Sequence, residues 1–307
     1  MKPTVLITTG DPAGIGPEVT VKALKDRRVL SFIRPVLIGG RPALLRAGWT
    51  ERLAPLIDLS KERDVMPGRP CAEGGRQSLE AVKLAVKLLK KGLGQALVTA
   101  PVNKEAWHMA GSPYTGHTEL LRDLCGNDRS VMLFVSGKIV CATVTEHYAL
   151  ADVSKNLSKG KIVSRALCLA SALQDMGRKG GTIGICALNP HAGDGGLLGR
   201  EERRIIAPAV KTLRGMGIDA EGPVPSDAAW ERHMAGRYAA LLCMYHDQAL
   251  VPLKTLATEP AVHWTAGLPF PRTSPAHGTA YDIADKKKAD PAGMKAALMF
   301  AARLPSK

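Results

Sequence analysis

Several features are missing from this sequence, and each absence excludes a class of protein. No apolar run reaches the roughly 18 residues that a membrane-spanning helix needs. The first residues, MKPTVLITTGDPAG, lead directly into a strand-like pattern, so we predict that there is no signal peptide. Internal repeats, low-complexity tracts and clear linkers are also missing. With 45% hydrophobic residues, the chain is therefore expected to be a soluble globular protein.

Aromatic residues are scarce, at 4% of the chain, and no zinc-finger or RNA-binding signature is present. The formal charge of +14 would by itself suggest a nucleic-acid partner. The cations are scattered, however, and the densest clusters, at residues 90–91 and 286–288, are short. Because a basic balance also fits an anionic small substrate, or simply a solvated surface, we expect no nucleic-acid partner.

The cysteines include no C-x-x-C pair; they are Cys71, Cys125, Cys141, Cys168, Cys186 and Cys243. Cys141, Cys186 and Cys243 each lie inside an apolar, strand-like run. We interpret them as reduced thiols in the core, where cysteine behaves as a small hydrophobic residue. Reduced thiols indicate a cytoplasmic protein and not a secreted disulfide framework.

Short apolar runs without alternation predict strands that are buried on both faces, as in a parallel sheet covered by helices. These runs are residues 5–9, 95–99, 139–144, 182–188 and 239–244. Helical patterns lie between them, for example at 78–89 and 160–176. In a further pattern at 200–214, Pro208 predicts either a late helix start or a kink. The alternation predicts an α/β architecture, and the length of 307 residues favours two lobes.

Three of the eight histidines closely follow predicted strands. His147 stands in CATVTEHYAL, His191 in ICALNPHAGDGG and His246 in LLCMYHDQ. Because ligands of open α/β sheets bind at the carboxyl ends of the strands, we expect these imidazoles to converge on one edge. Three histidines with an open fourth position are typical of a catalytic divalent-metal site. The alternative is that each is a hydrogen-bonded loop histidine, since no short metal motif is present.

Other side chains near predicted strand ends suit proton transfer or anion binding. Asp247 follows His246 directly and is placed to orient a metal ligand or to accept a proton. Lys254 lies a few residues further on and is available to an anion. Lys104, in TAPVNKEA, faces either the site or water.

Two further segments offer groups for binding an oxyanion. In SPYTGHTELL, His117 and Thr118 supply an imidazole, a hydroxyl and backbone amides, a set that suits phosphate. Thr118 also suits the N-cap of a following helix, and both roles are compatible. In LPFPRTSPAHGTAYD, Arg272 is able to grip phosphate through two parallel hydrogen bonds, with a surface salt bridge as the alternative.

The segment TTGDPAGIGPE, residues 8–18, is a glycine-rich turn from a strand into a helix. It is not a Walker loop, since no Gly-Lys-Ser/Thr follows, and its glycines at 10, 14 and 16 do not form G-x-G-x-x-G. Pro17 and Glu18 suit the first helical turn. Exposed amides at the helix N-terminus would favour an anion or a cofactor, and a plain tight turn is the alternative.

Six segments together resemble the 4-hydroxythreonine-4-phosphate dehydrogenase family of pyridoxal phosphate biosynthesis: GDPAGIGPE, TAPVNKEA, PYTGHTELL, NPHAGDGG, MYHDQALVPLK and GLPFPRTS…HGTAYDIA. They occur in order along nearly the whole chain. The resemblance implies an α/β/α fold similar to isocitrate and isopropylmalate dehydrogenases, with two lobes and the active site in the cleft between them. It also implies a homodimer with sites at the subunit interface. One lobe would comprise residues 1–130 and 278–307, and the other residues 131–277.

The resemblance also implies roles for individual residues. A divalent ion (zinc, magnesium or cobalt) would be held by His147, His191 and His246. The substrate would be contacted by His117, Thr118, Lys254, His263 and Arg272. The glycine-rich loop is similar to the GDGIGPE-type loop of the isocitrate dehydrogenase fold, which places Asp11, Gly14 and Ile15 near NAD or NADP. Asp247 is the first choice for the proton acceptor and Lys104 the second.

The implied reaction is oxidation of 4-hydroxythreonine 4-phosphate by NAD to a β-keto acid, which loses CO2 to give 3-amino-2-oxopropyl phosphate. His263 stands where the family usually has an Asn that contacts the substrate, and Ala276 replaces an acidic residue. These departures leave oxidation of a threonate or erythronate 4-phosphate as an alternative. More distant alternatives are an acyltransferase of related fold, which the three histidines disfavour, and a nucleic-acid binder.

Overall fold

The computed structural model describes residues 2–61, 63–127, 129–178 and 180–305. The chain divides into two compact units. Unit 1 comprises Met1–Asp128 and Leu268–Lys307, and unit 2 comprises Arg129–Gly267. Each unit contains a sheet flanked by helices, as the α/β prediction requires.

The strands are β1 (Thr4–Thr8), β2 (Arg34–Gly39), β3 (Leu56–Asp58), β4 (Ala96–Thr99), β5 (Val131–Ser136), β6 (Ile139–Thr143), β7 (Ile183–Cys186), β8 (Ala220–Val224), β9 (Ala240–Cys243), β10 (Val262–Ala266) and β11 (Arg272–Pro275). The α-helices are α1 (Gly16–Leu24), α2 (Arg27–Phe32), α3 (Arg41–Arg46), α4 (Ala72–Lys90), α5 (Lys104–Met109), α6 (His117–Cys125), α7 (Lys159–Asp175), α8 (Ala207–Gly215), α9 (Ser226–Met234), α10 (His246–Leu256) and α11 (Ala292–Ala301). Short 3₁₀ segments lie at Leu150–Asp152, Ser154–Asn156, Pro190–Gly196 and Tyr281–Ile283, and a π-helical turn at Glu202–Ile206.

The sheet of unit 1 is parallel throughout, in the order β3-β2-β1-β4-β11. Its carboxyl ends therefore share one edge, which carries the glycine-rich loop after β1 and the TAPVNK segment after β4. The helix predicted at 78–89 is part of α4, and its apolar face packs into the core of this unit beside Leu6, Leu97 and Trp107. Each such large apolar side chain contributes roughly 1.5–3 kcal/mol when fully buried.

The sheet of unit 2 is mixed, in the order β10-β5-β6-β9-β7-β8. Strands β6, β9, β7 and β8 are parallel neighbours, whereas β5 runs antiparallel to both β10 and β6. The strand predicted at 139–144 is therefore buried, as expected, and has a parallel neighbour on one side and an antiparallel neighbour on the other. A turn of only two residues, Gly137 and Lys138, joins β5 to β6, and so short a connection permits only antiparallel pairing.

The second predicted lobe boundary, at residue 277, lies later than the observed division at Gly267. The reason is β11, which pairs with β4 of unit 1 through Arg272 and Leu97 and packs against α11. Pro208 is the second residue of α8, which continues from the π-helical turn without a break, so the helical run does not start late. Proline inside a helix lacks the N–H of the regular pattern, and the π-helical turn directly before Pro208 is the local departure from that pattern.

All six cysteines are free thiols, and Cys141, Cys186 and Cys243 are buried. This confirms the interpretation of these residues as reduced core thiols. Across the part of the chain that the structure describes, no helix is both long enough and apolar enough to span a membrane.

Candidate active site

The three strand-end histidines follow three neighbouring parallel strands of unit 2. His147 follows β6, His246 begins α10 directly after β9, and His191 lies in the segment after β7. Because β6, β9 and β7 are adjacent and parallel, their carboxyl ends form one edge. The strand ends that precede the three histidines therefore share one sheet edge, as expected, whereas convergence of the three imidazoles stays a prediction.

His147 and His246 lie side by side at this edge. Their ring centroids are 5.8 Å apart, and the rings are tilted by 41°. The Nδ1 of His246 lies 2.7 Å from Oδ1 of Asp247, to which it donates a hydrogen bond. A cavity of about 440 Å³ opens here, lined by Glu146, His147, Tyr148, Leu150, Val153, Tyr245, His246 and Asp247.

His191 lies on a loop with an unusual backbone. Residues 191–195 all have positive φ, and three of them, His191, Ala192 and Asp194, are not glycine. The left-handed region costs a non-glycine residue on the order of 1–2 kcal/mol, and such strain concentrates at functional sites. Within the described residues, no three His, Cys, Asp or Glu side chains are grouped so that they could hold a metal ion. The structure thus brings two of the predicted ligands together and leaves His191 outside that group.

Two side chains at this edge, His147 and His246, have the donor chemistry of metal ligands. In the His246–Asp247 pair the carboxylate accepts from Nδ1, which leaves the lone pair of the neutral ring on Nε2. Metal-binding histidines very commonly donate their second ring nitrogen to a carboxylate in this way. His147 supplies a second imidazole at the same cavity, which the carboxylates of Glu146 and Asp247 also line.

Gln248, to which the sequence analysis gave no role, fastens this edge together. Its Oε1 accepts from the backbone N–H of Met244 at 2.6 Å, and its Nε2 donates to the carbonyl of Ala187 at 2.7 Å. Its side chain therefore joins the segments that follow β9 and β7, which lead to His246 and His191. The signal in the sequence was the position of Gln248, a polar residue between the MYHD segment and the apolar residues that follow it.

The remaining predicted residues of unit 2 are placed differently. Lys254 is exposed on α10, and His263 lies on β10, where its ring stacks on Phe134 at a centroid distance of 5.1 Å. His263 thus packs against the neighbouring strand β5, on which Phe134 is its register partner.

In unit 1, Arg272 is almost fully buried, with 1% of its surface exposed. Its Nη2 donates to Oγ1 of Thr99, at the carboxyl end of β4, over 2.6 Å. Burial lowers the pKa of the Arg272 guanidinium to about 9. A cation held inside the protein in this way excludes the surface salt bridge that was the alternative reading, and it suits an anionic ligand.

Lys104, His117 and Thr118 lie at the starts of two helices. Lys104 is the exposed first residue of α5, and a Cβ placed on Gly116 would lie 3.8 Å from its Cε. His117 packs edge-on against the Trp107 ring, with centroids 5.5 Å apart. The prediction of Thr118 as N-cap is wrong, because α6 begins one residue earlier, at His117, and is preceded by Gly116. Thr118 is instead buried in the first turn.

Several backbone amides of the glycine-rich loop already have hydrogen-bond acceptors. The amides of Asp11, Gly14 and Ile15 donate to the carbonyls of Pro101, Asp11 and Thr279, respectively. Asp11 also accepts from Tyr281 Oη at 2.6 Å, and burial raises the pKa of the Asp11 carboxyl. The expectation that amides of this loop stand exposed for an anion is therefore wrong for these three, since each already donates to a backbone carbonyl.

Beside this loop, unit 1 has a cavity of about 250 Å³ with basic walls. Gly14 contributes to it, together with the apolar residues Pro12, Pro17, Ala43, Ala47 and Pro67. Its charged lining residues are Glu18, Lys22, Lys25, Arg46, Asp285 and Lys287. Four cations against two carboxylates make the cavity suitable for an anionic ligand with a flat or apolar part.

Comparison with known families was decisive. Residues 36–301 match the family described as "Pyridoxal phosphate biosynthetic protein PdxA". The chain belongs to the PdxA family. A 4-hydroxythreonine-4-phosphate dehydrogenase from Geobacter metallireducens is 39% identical, with 99% of this chain and 96% of that protein covered. A Bradyrhizobium diazoefficiens protein, provisionally named D-threonate 4-phosphate dehydrogenase, is 38% identical, with 97% and 95% covered.

Solved structures agree with this membership. The crystal structure of a 4-hydroxythreonine-4-phosphate dehydrogenase from Klebsiella pneumoniae superposes with a TM-score of 0.87 at 34% identity, covering 100% of this chain and 99% of that chain. A β-decarboxylating dehydrogenase from Thermococcus kodakarensis shares the fold at a TM-score of 0.54 and 14% identity, covering 98% and 82%. The predicted likeness to the isocitrate and isopropylmalate dehydrogenase fold is thereby confirmed, and PdxA membership disfavours the acyltransferase alternative.

Proposed function

We propose that this PdxA-family chain is a dehydrogenase that oxidises 4-hydroxythreonine 4-phosphate with NAD or NADP and a divalent metal ion. The product is a β-keto acid, which loses CO2 to form 3-amino-2-oxopropyl phosphate on the route to pyridoxal phosphate. The observation that carries the proposal is the pair His147 and His246, with Asp247 on Nδ1 of His246, at the sheet edge where His191 also follows a strand. The free thiols fit a cytoplasmic location.

In unit 2, His147 and His246 would hold zinc, magnesium or cobalt, with His191 as the third ligand. When bound, the ion would supply Lewis-acid stabilisation of charge on the substrate oxygen, and the nicotinamide would supply the hydride acceptor. Asp247 keeps the His246 ring in the orientation and tautomer that present Nε2 to the cavity. Asp247 and Lys104 remain the proposed proton acceptors, since both are exposed and therefore open to solvent.

The side chains proposed to hold substrate anions are Arg272, His117, Thr118, Lys254 and His263. In unit 1, Arg272 offers a guanidinium that burial has already stripped of water, so an anion gains more from it than from a surface arginine. His117 and Thr118 lie in the first turn of α6, where the positive end of the helix adds to the attraction. Lys254 and His263 are the contacts proposed from unit 2.

The cofactor is proposed to lie against the glycine-rich loop of unit 1. Gly14 lines the basic cavity there, and its close approach to Thr279 leaves no room for a side chain, since a Cβ would lie 2.8 Å from the Thr279 carbonyl oxygen. Asp11 and Ile15 fix the shape of the loop through their bonds to Tyr281 and Thr279. The cations of the cavity would meet the phosphates of NAD or NADP.

A homodimer is the proposed assembly. Several large apolar side chains of unit 2 are strongly exposed: Leu150 at 72%, Leu197 at 84% and Val251 at 61%. Exposed apolar residues are expected where another chain covers them. Size measurement by light scattering, on wild-type protein and on Leu197→Asp, tests this: a dimer that the variant weakens is expected, and a monomeric wild type would contradict the proposal.

The deciding experiment follows reduced nicotinamide by absorbance. Purified protein receives NAD or NADP, a divalent metal, and either 4-hydroxythreonine 4-phosphate or threonate 4-phosphate, with chelator controls. Metal-dependent reduction with the amino substrate is expected. Reduction that persists unchanged in chelator would refute the metal role, and no reduction with either substrate would refute the proposed activity.

Oxidation of threonate or erythronate 4-phosphate is the second candidate. The relative named for D-threonate 4-phosphate and the presence of His263 favour it. The stacking of His263 on Phe134 brings an aromatic surface to the position where the resemblance implies an amide. Preference for threonate 4-phosphate in the same assay would select this activity.

A further inference from the structure

Glu202 is a buried carboxylate directly after the segment that carries His191. It begins the π-helical turn Glu202–Ile206, and only 3% of its surface is exposed. Its Oε1 accepts from the backbone amides of Leu188 at 2.9 Å and Asn189 at 2.7 Å. Its Oε2 accepts from Nδ2 of Asn189 at 3.0 Å. One carboxylate therefore holds three donors at the point where the chain leaves β7.

The loop from Asn189 to Gly199 wraps closely around this carboxylate. A Cβ on Gly193 would lie 2.7 Å from Oε2 of Glu202, and a Cβ on Gly199 would lie 2.3 Å from Nδ2 of Asn189. Both glycines also have positive φ, so neither position accommodates another residue without strain. The packing leaves the loop little freedom to shift relative to Glu202.

The strained residues stand inside this anchored loop. His191, Ala192 and Asp194 have left-handed backbone conformations, which persist only where surrounding contacts determine them. The His191 side chain is exposed, so its direction depends on the backbone beneath it. The contacts of Glu202 to Leu188 and Asn189 are the anchor closest to that backbone on its N-terminal side.

We infer that Glu202 is a positioning residue for His191. By fixing the start of the loop, its carboxylate holds the backbone from which the exposed His191 side chain projects. This inference rests on the proposed function, in which His191 is the third metal ligand. It assigns Glu202 no contact with substrate or metal.

A double-mutant cycle tests the inference without measuring catalysis. Zinc affinity is measured on metal-free protein by competition with a chromophoric chelator, for wild type, His191→Ala, Glu202→Gln and the double variant. The matched control is Glu221→Gln, since Glu221 is a carboxylate of the same unit that contacts Arg232 and Arg237. We expect His191→Ala to weaken zinc binding, Glu202→Gln to weaken it by about tenfold, and the control to leave it unchanged.

The double variant separates positioning from general damage. If Glu202 acts through His191, Glu202→Gln has no further effect on zinc affinity once His191 is alanine. An equal loss in both backgrounds, or no loss in the single variant, would overturn the inference. If His191→Ala alone leaves zinc affinity unchanged, the proposed metal ligand is wrong, which is a different failure. Should Glu202→Gln not fold, Glu202→Asp, which keeps the charge but withdraws the carboxylate from its three donors, takes its place in the cycle, with the same outcomes.

Discussion

The Nδ1 of His246 donates to Oδ1 of Asp247 across 2.7 Å, although the Asp247 side chain is 74% exposed. The two residues form the first turn of α10, where the positive helix end favours a carboxylate. The pair therefore sets the tautomer of His246 by local means, with no contribution from distant elements.

His246→Ala should abolish turnover and weaken metal binding while leaving the fold intact. The side chain lies at a cavity and not in the core, so its loss removes a ligand without opening a buried void. Isothermal titration with zinc and a thermal unfolding curve provide the measurement. The control is His108→Ala, an exposed histidine at the end of α5. Unaltered zinc affinity in His246→Ala would refute the proposal that His246 is a metal ligand.

Asp247→Asn should lower zinc affinity by about tenfold, because the amide no longer holds the His246 ring as a charged acceptor does. Titration of metal-free protein with zinc gives the affinity, and kcat at saturating metal gives an independent readout. If zinc affinity is unchanged but kcat falls, Asp247 is the proton acceptor and not the residue that orients His246.

Arg272→Met should raise KM for the phosphorylated substrate, by the equivalent of roughly 2–5 kcal/mol for loss of one charged contact. Stability should be unchanged or higher, since a buried charge is replaced by an apolar side chain of similar length. Because the pKa of Arg272 is lowered to about 9, wild-type kcat/KM should fall as the pH rises through that value. Arg41→Met, at an exposed site in the same unit, is the control, and equal KM values in both variants would contradict the prediction.

His233 should make the fold sensitive to acid. It is buried, its Nε2 accepts from the Val140 amide at 3.2 Å, and its Nδ1 lies 2.8 Å from the Tyr238 carbonyl, to which it donates. Burial lowers its pKa below the ordinary value, which is about 6.5 and applies to the unfolded chain. The neutral form therefore stabilises the fold fully above about pH 6.5, and this contribution is lost as the pH falls below it.

Urea unfolding of wild type and His233→Gln between pH 5 and 7.5 measures this effect. Glutamine does not titrate, so the free energy of unfolding of wild type should fall toward that of the variant as the pH is lowered. Carboxylates elsewhere contribute equally to both proteins and cancel in the difference. Parallel pH dependences for the two proteins would show that His233 is not responsible.

Gly10→Ala should destabilise the fold by on the order of 2 kcal/mol or more. Gly10 has φ of +73°, and a Cβ there would lie 2.2 Å from the Pro101 carbonyl oxygen. Gly92 offers a matched control, since it has the same φ of +73° and nothing within 4 Å of its Cβ position. Gly92→Ala should therefore cost only the backbone strain, about 1 kcal/mol. Equal losses of thermal stability in the two variants would show that the contact with Pro101 is unimportant.

The sequence by itself determined the local elements and the strand ends. Short apolar runs indicated β4, β6, β7 and β9, because strands buried on both faces are apolar at every position and do not alternate with polar residues. The same logic placed the three histidines on one edge. Helix α4 could likewise be read from its periodic apolar face, since that face needs only the 3.6-residue period of the chain itself.

Only the tertiary structure decided what depends on contacts between distant segments. The loop after β1 closes on Pro101 and Thr279, so its amides are not open, and no local pattern in TTGDPAGIGPE reveals those acceptors. Strand β11 joins unit 1 because it pairs with β4, far away in sequence. Glu202 looked like an ordinary helical residue until its carboxylate was found beneath the His191 loop. In each case a buried polar group forms a hydrogen bond with a partner that is distant in the sequence, and leaving that group without a partner would be costly in free energy.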